Sequence, residues 1–472
     1  MKKKKTNLLI IFAIYLVSLS TSFAKEKVLF AGVTKTNITP TNKDLLQNKT
    51  VHDSLYAKTI ILDNQSNKIA FIIVDSQGIA QFVIDEAKKQ IHKLTDFPIE
   101  NIVIASTHTH TGIIANVSPE NFNNNSLTEY QNFLISKLTE SIITATENLQ
   151  PAKIAWGKIN KPEHVFNRRW YTKELNVNPL GGVDSVKMNP GNALRSQLIK
   201  PAGPTDPQIN FIAIQKTDDT PLAILANYSL HYIGGIKPNE LSADYYGAFD
   251  IAINKLLNNN TLNPNFVGIM SNGTSGDINN HDYSKVLPSY PYYQKMESVA
   301  QDIAEDISKE YKQLEFKSWI PIEIDYQDIT VYPRKMDTQL DSNIKSIAAN
   351  KSTSTVFHPE EKYFSTRIGY YKKSYSKPFV VPLQAIRLGD LAISTIPFEV
   401  FVETGLELKQ RNPFKNSFTI GLANGHWGYL PTPEQHKKGG YETWITVNRV
   451  EKNTSRIFTE QLLEMFNKLK SK

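Results

Sequence analysis

Two rhythms of apolar and polar positions alternate along this chain. Compact apolar runs, Ile60-Ile61-Leu62 and Ala70-Phe71-Ile72-Ile73-Val74, lie either side of the polar Asp63-Asn64-Gln65-Ser66-Asn67, and that pattern predicts a β-hairpin. Runs of the same kind predict strands over 28–33, 102–105, 211–214, 222–226, 266–270, 322–329, 380–387 and 391–396. The first is closed by the turn signal Asn37-Ile38-Thr39-Pro40. Spacings of three and four predict helices over 81–94, 127–148, 246–257, 293–311, 400–409 and 455–469. Strands and helices intermixed throughout predict an α/β fold of layered, mixed β-sheets flanked by helices. Residues 332–378 are polar and weakly periodic, with Lys351-Ser352-Thr353-Ser354-Thr355 in the middle, and are expected to be a surface insertion. With no Pro- or Gly-rich linker and no internal repeat, residues 25–472 are expected to form a single domain.

The amino terminus follows a different rule. Met1-Lys2-Lys3-Lys4-Lys5 is cationic, residues 8–19 are apolar, and Ser22-Phe23-Ala24 places small residues where a signal peptidase reads them. The apolar run is shorter than the roughly 20 residues of a membrane-spanning helix. Residues 1–24 are therefore expected to be a cleaved signal peptide, leaving no stable membrane anchor and an exported protein, periplasmic or secreted. Without the four lysines of that leader the formal charge falls from +7 to +3, too mild to imply a nucleic-acid partner. The 472 residues contain no cysteine, which excludes disulfide scaffolds, thiolate-ligated metal centres and lipoprotein acylation. A 40% hydrophobic share excludes a disordered chain. What remains is a globular protein of enzyme size.

Candidate chemistry gathers at the ends of predicted strands. Ser106-Thr107-His108-Thr109-His110-Thr111-Gly112 follows the strand at 102–105. If that strand continues, His108 and His110 face the same way, where α/β proteins place their sites; read alone, the pair is as readily a solvated strand edge. His231 closes Asn227-Tyr228-Ser229-Leu230-His231, either as a ligand or as a hydrogen-bonded core histidine. Glu399, after Ile396-Pro397-Phe398, opens a helix, where a carboxylate also suits the helix dipole. Trp427-Gly428-Tyr429-Leu430-Pro431-Thr432 runs on to Gly439-Gly440-Tyr441-Glu442, a pattern equally typical of a packed loop.

Taken together and in this order, these segments resemble the neutral/alkaline ceramidases. The opening Ala31-Gly32-Val33-Thr34-Lys35-Thr36-Asn37-Ile38-Thr39-Pro40 is similar to that family's start, and Val74-Asp75-Ser76, Asn167-Arg168-Arg169, Ser242-Ala243-Asp244 and Gly276-Asp277-Ile278-Asn279 add matches in sequence. The resemblance spans about Leu29 to about Thr443 and covers the catalytic domain only. It implies that His108, His231, Glu399 and Tyr429 ligate Zn²⁺, a set of nitrogen and oxygen donors that needs no thiolate. It further implies that His110, Arg168 and Tyr441 handle the reacting group, while Asp75 and Asp244 are expected either to orient the histidines or to serve structure alone.

One segment departs from the family. Where the ceramidases carry a serine in a Ser-Asn-x-Gly-Asp loop, this chain reads Ser271-Asn272-Gly273-Thr274-Ser275-Gly276-Asp277 and Gly273 takes the serine's place, unless a shifted loop presents Ser271, Thr274 or Ser275. Two mechanisms then compete. In one, zinc polarises an amide carbonyl and the protein is an amidohydrolase of N-acyl lipids. In the other, zinc and Arg168 neutralise a sugar carboxylate and Tyr441 or His110 removes the adjacent proton, giving β-elimination by a lyase or dehydratase in polysaccharide degradation. The substituted loop, the paired Arg168-Arg169 and the aromatic Trp170, Tyr171, Trp427 and Tyr429 favour the second, with acidic, uronate-containing oligosaccharides as substrate. A third reading is a non-catalytic glycan-binding protein with a residual metal site.

Overall fold

The computed structural model describes residues 27–471 apart from 43–45, 47–48 and 117–125; the expected leader, residues 1–24, lies outside the described residues. Eight strands form the larger sheet: β1 (Leu29–Asn37), β2 (Tyr56–Asp63), β3 (Lys68–Val74), β4 (Ile102–Ser106), β5 (Gln150–Asn160), β6 (Gln208–Lys216), β7 (Pro221–Tyr228) and β8 (Val267–Asn272). Their spatial order is β8-β7-β6-β5-β1-β2-β3-β4. All neighbours are antiparallel except the two outermost pairs, β7 with β8 and β3 with β4. A second sheet orders β9 (Ile322–Val331), β10 (Phe379–Leu388), β11 (Leu391–Ile396) and β12 (Asn416–Gly421).

The period-two pattern builds four layers. Along β3, Ile69, Phe71 and Ile73 point into a core shared with Ile386, Leu388, Ile393 and Phe418 of the second sheet. Their alternates Ala70, Ile72 and Val74 face α1 (Gln81–Thr95) and α2 (Glu129–Glu147). Helices α3 (Asp244–Leu257) and α4 (Gln294–Tyr311) cover the other half of the same outer face. On the far side, Phe458, Leu462 and Phe466 of the last helix (Thr454–Lys470) and Leu408 of the Val402–Arg411 helix pack on Leu383, Ala385 and Ala392. The arrangement is helices, sheet, sheet, helices, as the layered α/β pattern predicted.

Three features were not legible in the pattern. Strand β5 is interrupted by Lys153, Gly157 and Lys158, yet it is the central strand that joins β1 to β6. Residues 332–378, expected to be a surface insertion, carry two helices, α5 (Thr338–Ala349) and α6 (Glu361–Ser374). Phe364, Ile368 and Tyr371 of α6 lie on one stripe and pack with Phe401, Tyr429 and Val447, so this segment forms one wall beside the candidate site. The topology also repeats: β1-β2-β3-α1-β4 and β5-β6-β7-α3-β8 are each three antiparallel strands, a helix and a parallel edge strand. Among the described residues no helix is long and apolar enough to cross a membrane.

With β1 and β5 antiparallel at the centre, β4 and β7 nominally point to opposite ends. A twist of about 20–25° per strand pair, accumulated over the sheet, turns the two edges toward a common direction. Strand β8 accordingly packs against β3 and β4. The edge strand β4 is stitched onward to the second sheet by Ser106 N–H to Leu422 O (3.2 Å) and Asn424 N–H to Ile104 O (2.7 Å). This closure brings the ends of β4, β7 and β11 to one place.

Candidate metal centre and active site

Strand β4 ends at Ser106 and does not continue through the histidines. His108 instead adopts φ 71°, a left-handed backbone that a non-glycine residue holds only under tertiary constraint. That kink, rather than strand alternation, brings His108 Nε2 to 3.2 Å from His110 Nε2. His108 Nδ1 donates to Gln77 O at 2.6 Å, and His231 Nδ1 donates to Ser275 O at 3.0 Å. A carbonyl only accepts, so each Nδ1 carries the proton and each Nε2 presents a lone pair.

Both lone pairs aim at Glu399. Its Oε2 lies 3.2 Å from His108 Nε2 and 3.7 Å from His231 Nε2. Glu399 follows β11 in a short parallel ribbon whose partner at the same register is Tyr429. Tyr429 is in hydrogen-bonding reach of Glu399 and of Arg168. The four expected ligands thus share one neighbourhood. Among the described residues, buried His231 Nε2 and Glu399 Oε2 have no hydrogen-bond partner. Two unsatisfied buried lone pairs facing each other are costly, and a cation between them removes that cost, so the residues fit a metal. His108, His110 and His231 also present nitrogens within 4.8 Å of one another. Burial pushes the Glu399 carboxyl up, but His108 and His426 more than reverse this, leaving it well below the usual carboxylate range. Burial, Arg168 and His108 hold the His231 imidazole far below its ordinary value, hence neutral and able to offer a lone pair.

The expected catalytic trio surrounds this centre. His110 opens toward solvent, with Tyr232 stacked on its ring at 4.0 Å; desolvation where it meets its neighbours, followed by His108, keeps it neutral. Arg168 is buried, with Nε donating to Glu442 Oε1 at 2.9 Å and its guanidinium 5.4 Å from the Tyr429 ring centre. Burial alone would lower its pKa, but Tyr429 and Glu442 raise it well above normal. Among the described residues its Nη2 has no partner. Tyr441 packs 5.9 Å from Tyr429, and burial, then Glu399, push its hydroxyl up, so it keeps its proton.

Several expectations need revising in detail. Arg169 is not a second free guanidinium: it donates to Glu442 Oε2 (2.7 Å), Gly439 O (2.6 Å), Gln435 O (3.3 Å) and Gln435 Oε1 (3.4 Å). Trp170 is buried with its Nε1–H on Asn167 O. Asp75 and Asp244 do not reach a histidine, because carbonyls already hold both Nδ1 atoms. Asp75 Oδ2 accepts from Tyr56 N at 3.0 Å. Asp244 ties the turn after His231, accepting from Ile233 N (3.2 Å), Gly234 N (2.7 Å) and Tyr245 N (2.5 Å). The loop at 271–277 supports His231 from behind. Ser271, Thr274 and Ser275 are buried; Ser271 bonds Ala226 O, Thr274 meets Ser229 and Ser275 bonds Asn272. A side chain at Gly273 would place its Cβ 2.9 Å from Ser229 Oγ and 3.0 Å from Ser229 N. The lost serine therefore marks close packing behind His231.

Two contributors escaped the sequence reading. His426 donates through Nε2 to Glu399 Oε1 at 3.2 Å and contacts Asn116 through Nδ1 at 2.5 Å; its only signal was a position three before Tyr429. Glu442 bridges Arg168 and Arg169, hidden because its partners lie more than 270 residues away. His426 also lines a cavity of about 250 Å³, together with Phe82, Tyr370, Tyr371, Tyr375 and Trp427.

Comparisons with known proteins speak to the fold and the family. A crystal structure of neutral ceramidase from Pseudomonas aeruginosa matches with TM-score 0.66 and 14% identity, over 94% of this chain and 75% of that one. A structure described as ceramidase complexed with C2 matches with TM-score 0.68 and 14% identity, over 94% and 76%. No curated protein sequence matches. The family model described as neutral/alkaline non-lysosomal ceramidase, N-terminal, matches residues 42–283, just over half of the chain. These findings overturn the expected lyase or dehydratase and its acidic-oligosaccharide partner, and with them a role in polysaccharide degradation; Gly273 packs against Ser229, and every nitrogen of the Arg169 fork is engaged within the protein. By the family-model match over more than half of its length, this chain belongs to the neutral/alkaline non-lysosomal ceramidase family.

Proposed function

We propose that the protein is a zinc-dependent amidohydrolase that cleaves the amide of an N-acyl lipid. The observation that carries this reading is the pair of orphaned donors, His231 Nε2 and Glu399 Oε2, facing each other 3.7 Å apart beside His108. His108, His231, Glu399 and Tyr429 would hold the ion, a nitrogen and oxygen set suited to Zn²⁺. Zinc, when bound, supplies Lewis acidity toward a carbonyl and lowers the pKa of water.

The chain's own groups cover the remaining needs of amide hydrolysis. Arg168 Nη2 is a buried donor with a free valence, placed to bind the oxygen that gains charge as the carbonyl is attacked. Neutral His110, beside His108, accepts a proton at a ring nitrogen. Tyr441, held protonated, donates toward the departing nitrogen. Glu442 fixes Arg168 through Nε so that Nη2 keeps its direction. The aromatic cavity beyond His426 offers apolar surface for a lipid limb. On the leader at residues 1–24 we place the enzyme outside the cytoplasm, to be checked by the amino terminus of the mature protein.

The test is release of free fatty acid from N-acyl sphingosine by purified protein, with metal content measured alongside. Turnover that disappears on chelation and returns with Zn²⁺ supports the reading. Metal-replete protein that leaves every N-acyl amide intact defeats it.

A further inference from the structure

The aromatic cavity beside the metal centre carries an electrostatic feature that amide hydrolysis does not use. Arg367 of α6 and Arg449 both line it. Arg367 Nη2 donates to Thr446 O at 3.2 Å and Arg449 Nε donates to the same oxygen at 3.4 Å. Two guanidinium groups are therefore held side by side on one carbonyl. Each is steadied by aromatic rings: Arg367 by Tyr363 and Phe364 (both 5.6 Å to the ring centre), Arg449 by Tyr375 (5.6 Å). Among the described residues neither lies within 4.0 Å of a carboxylate, whereas the buried Arg168 and Arg169 both pair with Glu442. The single acid on the cavity wall, Asp85, is engaged with Gln81.

Thr446, which presents the shared carbonyl, is itself unusual. It is 4% exposed and sits at φ 83°, and its Oγ1 has no hydrogen-bond partner among the described residues. A β-branched residue in that conformation is strained, and a buried hydroxyl without a partner is costly. That conformation holds the Thr446 carbonyl under both guanidinium groups. Two like charges held together on the wall of an apolar cavity are what recognition of an anion at the end of an apolar limb requires.

Resting on the amidohydrolase reading, we infer that Arg367 and Arg449, set side by side by the Thr446 carbonyl, form a subsite for a carboxylate carried by the amine limb of the substrate, so that the preferred amides are N-acyl amino acids rather than neutral N-acyl amines. Attack at the metal centre breaks the C–N bond of the amide; water supplies hydroxyl to the acyl carbon and a proton to nitrogen, releasing a fatty acid and a free amino acid. The acyl carboxylate arises beside His108, His231 and Glu399, so the anion in the cavity belongs to the other limb.

The experiment compares N-lauroyl ω-amino acids, with increasing numbers of methylenes between nitrogen and carboxylate, against N-lauroyl alkylamines of equal length. The holoenzyme is expected to prefer one length of the acid series by about tenfold or more in kcat/KM, the value of a charge-assisted bidentate contact. Arg367→Gln and Arg449→Gln should each collapse that preference, and Arg367→Lys should restore part of it. A ligand without an amide, (dodecyloxy)hexanoate, separates this inference from the amidase reading. Calorimetric binding to wild-type protein that is tighter than for the matching alcohol, and weakened about tenfold in Arg367→Gln, supports the subsite even if no amide is cleaved. Cleavage of neutral amides with no preference for acids, together with equal binding of acid and alcohol, overturns the subsite and leaves the amidase standing.

Discussion

Strands β1–β4 with α1, and strands β5–β8 with α3, repeat one topology, yet they equip the site from different strands. In the first half the imidazole follows the edge strand β4, and the loop after the inner strand β3 supplies Gln77 O to hold it. In the second half the imidazole follows the inner strand β7, and the loop after the edge strand β8 supplies Ser275 O. Each half thus divides the same labour between its two parallel strands, with the assignments exchanged. The scaffold is indifferent to chemistry; the loops at its closing edges decide it. Glu399, from the second sheet, is the group on which both halves converge.

That comparison can be broken most severely at its meeting point. Glu399→Ala is expected to remove bound metal and to cost more than about 10³-fold in turnover, beyond the loss of one oxyanion donor; elemental analysis with fatty-acid release measures both. Retained metal in this variant would show that the halves do not meet there. Arg168→Gln should keep the metal and lower kcat by about 10²–10³-fold, a split that separates holding the ion from binding charge on the reacting oxygen. His426→Ala removes a support of Glu399 rather than a ligand, and should weaken metal affinity by about 10–100-fold, read by competition with a chelator.

Smaller effects sharpen the contrast between the two supporting loops. Gly273→Ser presses a side chain against Ser229, and overpacking there should destabilise the protein by about 1–3 kcal/mol. Denaturant unfolding measures this; an unchanged midpoint would mean that the loop behind His231 is slack. Burial also raises Asp75 in the first half, and Asp244 and Asp277 in the second, to about 6. The folded state then binds these protons more tightly than the unfolded chain. Their contribution favours folding at low pH and is lost as pH rises through about 6. Asp75→Asn should flatten the stability curve between pH 4 and pH 6 by about 1–3 kcal/mol, whereas an unchanged slope would place that titration elsewhere.

Much of the scaffold was legible in local pattern. The helix expected over 81–94 is Gln81–Thr95, and the strand expected over 391–396 is Leu391–Ile396. Residues with one partner in the pattern and another far away were not legible. Strand β5 hides its alternation behind lysines because its ladder with β1 and β6 supplies what local propensity lacks. The helix α6 buries only a narrow stripe, Phe364, Ile368 and Tyr371, in an otherwise polar segment. Motif order brought His108, His110, His231, Glu399, Tyr429, Arg168 and Tyr441 into consideration, and the structure gathers all seven. It could not reveal that Arg169 is consumed by Glu442 and Gln435, nor that His426 backs Glu399, and the wrong chemistry was inferred from a loop whose direction is a tertiary fact.

By itself the amino-acid sequence determined the supply of donors, the absence of thiolates, and where most strands and helices begin and end, because apolar spacing and turn residues act over a few positions. Only the assembled fold brings His108 after β4 to within 4.6 Å of His231 after β7, ring centre to ring centre, although the two strands are nominally antiparallel, and turns Gly273 against Ser229. Twist is a few tens of degrees at each strand pair and becomes a change of direction only after the whole sheet is assembled.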